Sequence, residues 1–169
     1  MNGSLLNDPF AHHVWATLRL LDSCVEFEHS QLETSVAGTY GSIIDTLRHL
    51  VSTDAWYRYR LDGRASEFID DEGMDLTQLR TVMEEGAEAW PRIIAADIDP
   101  QALVMGRADD GTEVWWPAGI RLAQALHHGT DHRSQICTAL TSIGLEPPPI
   151  DVWDYAEQHG WPVSVASVD

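Results

Sequence analysis

The sequence predicts an all-α protein, a four-helix bundle with a small β-hairpin inserted before its last long helix. Three observations carry this reading. Four long segments place apolar residues at helical spacing, start and stop signals separate them, and one Asp-Gly turn between short apolar runs breaks the helical rhythm.

The first helix is expected from Asp8 as N-cap, with Pro9 at the first helical position, where a missing N–H does no harm. Phe10, Val14, Leu18, Leu21 and Val25 then fall near one stripe. The second helix lies in "GTYGSIIDTLRHLVSTDAWYRYRLDG", with Ser42 and Asp45 as a capping box and Gly63 as the stop. The polar stretch "GRASEFIDDEGMD" follows, too acidic for a core and long enough to cross the end of a bundle. Its run Asp70, Asp71, Glu72 reads as a solvated loop, because it lacks the ligand spacing of an EF-hand. "DLTQLRTVMEEGAEAWPRIIAAD" is the third helix, weakened by Gly86 and Pro91, with a kink expected at the proline. Leu103 to Arg107 and Glu113 to Trp116 form a β-ribbon about Asp110-Gly111. Pro117 opens the fourth helix, which runs to Gly144 with Leu145 placed as in a Schellman stop. The tail "IDVWDYAEQHGWPVSVASVD" holds at most one short helix.

At 169 residues the chain is read as one domain, 1–169, long enough to bury a core without disulfides. A formal net charge of −17, from 10 Lys+Arg against 27 Asp+Glu, repels phosphate backbones and anionic lipid, so neither nucleic acid nor a membrane is an expected partner. The first residues carry no basic stretch followed by an apolar run, and no segment reaches the length of a membrane span, so a soluble, cytoplasmic protein is expected. Cys24 and Cys137 lack a CxxC spacing and read as buried thiols, and the seven tryptophans, Trp15 and Trp56 included, read as core and lining residues.

"ALHHGTDHRSQICTAL", residues 125–140, holds three of the eight histidines on a helix with apolar flanks. At about 100° per residue, His132 and Gln124 each fall ~40° from His128, and Arg121 and Gln135 within ~20°. Ala139 and Ile143 lie on the same side, so this polar stripe continues an inward-facing surface. His127 points about 100° away and reads as structural or partly exposed. An i, i+4 histidine pair can hold a divalent ion, although HxxxH alone is a weak signal, and Gly129 in place of glutamate excludes a zinc protease of the HExxH kind. The second helix offers His49, with Asp45, Thr53 and Trp56 within about 40° of it, and a bundle can bring two such faces together. The competing readings are a hydrogen-bonded core histidine at 49, amid Leu47, Leu50 and Val51, and a surface pair at 128 and 132.

The stretches "TYGSIIDTLRHLVSTDAWYRYRLDG" and "LHHGTDHRSQI" together resemble the DinB/YfiT-like superfamily of metal-dependent proteins. Its pattern pairs a second-helix "S…LxHL…(D/E)…W/Y" with a later "HxxxHRGQ", and "FAHHVWATLRLL" is similar to its first helix. His49, His128 and His132 match the pattern's three metal-binding positions. Ser134 stands where glycine is usual, and His13 and Thr17 where asparagine is common, so contacts from the first helix should differ. The resemblance implies an up-down-down-up path, with the link after the second helix as the crossover and the histidines converging near one end. It leaves the substrate open, because the superfamily includes thiol-dependent S-transferases and isomerases. The family name points to DNA damage and so to stress response, yet the acidity of this chain argues against DNA contact.

Three neutral imidazoles leave coordination positions open, so a bound ion can take a water or a thiol and lower its pKa. Softness favours zinc, with nickel or iron also compatible. No serine or cysteine nucleophile with a local base is evident, since Cys137 lies about 180° from His128 around the helix. Asp45 either orients His49 or serves only its capping box; Gln135 and Arg133 are candidates to brace the site, with a structural role the better one for Arg133. Three functions fit these residues. The first is a metal-dependent transferase joining a small electrophile to a low-molecular-weight thiol cosubstrate. The others are metal-assisted hydrolysis and a non-catalytic metal or small-ligand-binding protein. The expected partner is a small molecule, with a homodimer left open.

Overall fold

The structure is a computed structural model that describes residues 4–62, 71–108 and 110–162 of the chain. Its elements are α1 (Asn7–Cys24), α2 (His29–Leu32), α3 (Ile43–Asp62), α4 (Leu76–Ala95), β1 (Leu103–Arg107), β2 (Glu113–Pro117), α5 (Ala118–Ser142) and α6 (Val152–Gln158). The four long helices and the hairpin are those the sequence predicts. The single turn α2, closed by Glu28 and Gln31, carries too few residues to show a period and went unpredicted.

Local chemistry explains most boundaries and corrects several. α1 begins after Leu6, so Asp8 lies within the first turn and meets the positive end of the helix dipole instead of capping it. Val25 is the C-cap and 58% exposed; Leu20, off the predicted stripe, is buried beside Phe10, Val14 and Leu21. The start of α3 is closed as expected, with the Asp45 amide donating to Ser42 Oγ (3.2 Å) and Ser42 Oγ to Asp45 Oδ2 (2.6 Å). The predicted stop Gly63 and Asp70 of the acidic run lie outside the described residues, whereas Asp71 is tied down as acceptor for Ser52 Oγ at 2.7 Å. α4 starts at a reciprocal Asp75–Gln78 capping box and stays helical through Gly86 and Pro91. Gly86 belongs there because a Cβ would meet Val14 Cγ2 at 3.3 Å.

The hairpin pairs Leu103 with Pro117 through to Arg107 with Glu113. Its turn is longer than the two residues Asp110-Gly111: Ala108 and Thr112 are still bonded (2.9 Å), and Gly111, at φ +83°, donates to the Ala108 carbonyl. Pro117 closes β2 and stands at the N-cap of α5 rather than inside it. α5 ends in the predicted Schellman stop, with Leu145 N–H on the Leu140 carbonyl (3.1 Å), Gly144 N–H on Thr141 (3.0 Å) and Gly144 at φ +78°. Four of the seven tryptophans, Trp115, Trp116, Trp153 and Trp161, are exposed, because they sit on the hairpin and the tail beyond the bundle; only Trp90 is fully buried.

Contacts fix the direction of each helix. The ends of α3 and α4 meet through Asp62 and Arg92 (2.6 Å), and Arg48, near the start of α3, bonds the Met74 carbonyl just before α4, so these two helices are parallel. α1 is antiparallel to α4, with Asp22 on Arg80 and Phe10 on Trp90. α5 is antiparallel to α3, since His128 meets His49 and the earlier Arg121 lies over the later Trp56. The path is therefore up-down-down-up. α1 and α3 each pack against both α4 and α5 around a core that includes Phe10, Leu20, Leu47, Leu50, Met83, Trp90 and Leu140. Among the described residues, no helix is long and apolar enough to cross a membrane.

Candidate metal centre

The antiparallel contact of α3 with α5 places His49 against the i, i+4 pair on α5. His49 Nε2 and His128 Nε2 are 3.0 Å apart, and one nitrogen from each of His49, His128 and His132 lies within 4.8 Å of the others. The ring centroids are 4.4 to 5.0 Å apart, at steep angles. One proton can bridge two such nitrogens, but it leaves the third lone pair without a partner; a cation between the rings satisfies all three. This group can hold a metal ion, and its chemistry fits one. Burial, reinforced by His132 and then His49, pushes the His128 pKa down to about 3, and burial followed by the His132 charge lowers that of His49. Neutral imidazole is the ligand form.

Neighbouring side chains orient these rings. His132 Nδ1 donates to Gln135 Oε1 at 3.1 Å, which leaves Nε2 as the lone-pair nitrogen. The same Gln135 oxygen accepts the Tyr40 backbone N–H at 3.0 Å and ties the loop before α3 to α5. The Tyr40 ring stacks on His49 with centroids 4.1 Å and planes 12° apart, and meets His132 edge-on at 5.5 Å. Tyr57 sets its ring against His128 at 6.0 Å. Sequence reasoning missed both tyrosines: Tyr40 is in a loop without periodicity, and Tyr57 is off the stripe drawn through His49.

The other predicted residues divide. Asp45 is exposed and spends its carboxylate on Ser42 and, at 3.4 Å, on Arg48, so its capping role accounts for it. Thr53 is half-buried one turn beyond His49, while Trp56 and Gln124 line a cavity beside the hairpin. Ile143 is the exposed C-cap of α5, so the inward stripe ends at Ala139. His127 is exposed. Arg133 turns away from His132 to α1, where Nη1 donates to His13 Nδ1 (3.0 Å) and Thr17 Oγ1 (3.1 Å).

That contact opens a second polar centre. His13 Nε2 donates to Asp54 Oδ1 (2.9 Å), which also accepts Trp90 Nε1–H (3.1 Å), and Arg58 Nε donates to Asp54 Oδ2 (2.8 Å). Burial pushes the Asp54 carboxyl up, but the His13 bond and charge and then Arg58 outweigh it, and its pKa is lowered. Gly129 makes the centre fit, since a Cβ there would lie 2.3 Å from His13 Cε1. The position that ruled out HExxH is thus glycine for a steric reason.

Comparison with known proteins gives a match of the family described as "DinB family" over residues 1–162. No curated protein matches the chain.

Proposed function

The chain belongs to the DinB family, and from that premise and the geometry of α3 and α5 we propose that it is a metal-dependent enzyme in which His49, His128 and His132 hold a divalent cation. Three neutral imidazoles converging with no carboxylate among them carry the reading. The imidazole set suits zinc, with nickel or iron also compatible. When bound, such an ion supplies Lewis acidity and lowers the pKa of a thiol or water that reaches it. The reaction we favour joins a low-molecular-weight thiol to a small electrophile: the sulfur–carbon bond forms, the leaving group departs with its electrons, and the thiol proton passes to solvent.

This chain's residues have definable parts in that chemistry. Gln135 fixes the His132 tautomer, Tyr40 covers His49, and Tyr57 with Gln124 borders His128 on the side of the cavity. The thiols Cys24 and Cys137 have pKa values raised chiefly by burial and serve poorly as nucleophiles, which favours an external thiol. As free cysteines they also fit a reducing cytoplasm. Thiols titrated into cobalt-loaded protein test the reading: a sulfur-to-metal charge-transfer band is expected, together with thiol conjugation that disappears in His132→Ala. If no common cellular thiol perturbs the cobalt spectrum, the transferase reading gives way to hydrolysis or simple ligand binding.

A further inference from the structure

A cavity of about 330 Å³ lies between α3, α5 and the hairpin, walled chiefly by Trp56, Tyr57, Val114, Trp116, Ile120 and Arg121. Its size suits a small ligand and its walls are mostly apolar. Arg121 is the exception. The residue is only 5% exposed, its Nε is buried without a hydrogen-bond partner, and no carboxylate among the described residues pairs with it. The other deeply buried arginines differ: Arg58 has Asp54, and Arg133 has His13 and Thr17. In a chain with 27 Asp+Glu against 10 Lys+Arg, a buried guanidinium left with neither an acidic partner nor any hydrogen bond among the described residues needs another explanation.

Stacking explains part of it. The guanidinium carbon lies 4.6 Å from the Trp56 ring centroid, and that contact offsets some desolvation while accepting none of the in-plane N–H groups. Room has also been kept for the head group, because a Cβ on Gly106 would come within 2.8 Å of Arg121 Nη2. Arg107 adds positive charge to the lining from the exposed side. We infer that this cavity binds the carboxylate of a small amphipathic acid, with Arg121 as its anchor and Trp56, Trp116 and Ile120 against its apolar body. The planar fork of the guanidinium matches a carboxylate with two N–H bonds. Arg121 precedes His128 by seven residues on α5, about 10 Å along the axis, with Gln124 and Tyr57 between them. A ligand of about that length, held at Arg121, directs its far end toward the three histidines. This last step rests on the metal-site reading; the acid site itself does not.

The test uses 4-phenylbutyrate and its uncharged amide as probes of the full-length protein, as purified and after chelation, followed by tryptophan fluorescence and calorimetry. The acid should bind about tenfold or more tightly than the amide in both preparations, the worth of a charge-assisted bond out of water. Arg121→Gln should erase that preference while keeping its helical circular dichroism, and His132→Ala should keep it. Equal binding of acid and amide, binding of neither, or an unchanged preference in folded Arg121→Gln would overturn the proposal. If Arg121→Gln does not fold, acid against amide on the wild type still decides. Loss of metal from His132→Ala with the preference intact separates the two sites.

Discussion

His132 and Arg133 are neighbours on α5, yet they serve two centres that treat buried histidine in opposite ways. Arg133 joins a closed network on the α1 side, in which His13, Arg58 and Trp90 share the carboxylate of Asp54 and every donor named has an acceptor. His132 joins a centre on the α3 side where imidazole faces imidazole and no carboxylate among the described residues takes part. The first needs nothing from outside the chain. The second has three lone pairs converging on one another, and a cation is the group that satisfies them together. Burial alone therefore does not mark a functional histidine; the kind of group it faces does.

The closed network should give the largest effect on stability. Asp54→Ala removes the acceptor shared by His13, Arg58 and Trp90 and leaves the buried Arg58 guanidinium only the Glu85 carboxylate at 3.8 Å and the Val82 carbonyl, so about 3–5 kcal/mol should be lost in urea denaturation. A loss below about 1 kcal/mol would show that the network is not needed for folding. Gly129→Ala should come next, at about 1–3 kcal/mol, because its methyl would overlap the His13 ring. If it melts with the wild type, the close approach of α1 to α5 is wrong.

Acid should separate the two centres. His128 in metal-free protein titrates at about 3 instead of the ordinary 6.5, so the unfolded chain takes up its proton first. That stability is fully present above pH 6.5 and falls as the pH drops toward about 3. Asp54 has a lowered pKa, so its contribution is kept until the pH falls below about 4, where the unfolded carboxyl begins to protonate. Melting temperatures of metal-free protein should therefore decline in two stages, and His128→Ala should shrink the earlier one to the part that His49 contributes. A single decline beginning below about pH 4 in the wild type would contradict the assignment at His128. Chelation at neutral pH should have a smaller effect. The bundle core stays intact, so the melting point should fall by several degrees, as for loss of a native-state ligand, with helical circular dichroism retained. Complete unfolding would make the ion a structural staple.

Much of the bundle is legible in the sequence because its signals are local. Ser42–Asp45 and Gly144–Leu145 each announce a helix end within four residues, and the HxxxH pair is a property of one helix face. What depends on distant partners is not legible. His13 looks like one more residue of an amphipathic helix until Asp54, 41 positions away, is placed beside it, and Arg133 looks like part of the histidine motif until α1 claims it. Tyr40 covers His49 from a loop with no pattern to read, and the lone guanidinium of Arg121 becomes visible only once the hairpin closes over it.

The centre facing α3 stands on its ability to hold a cation through three imidazoles, and the metal content of purified protein tests this most directly. After exposure to zinc and exhaustive dialysis, the wild type should retain about one ion per chain, and His49→Ala, His128→Ala and His132→Ala should each retain almost none while still folding. His127→Ala, altered one residue away on the exposed side of α5, should match the wild type. Full retention of metal by any one of the three ligand variants would contradict the account.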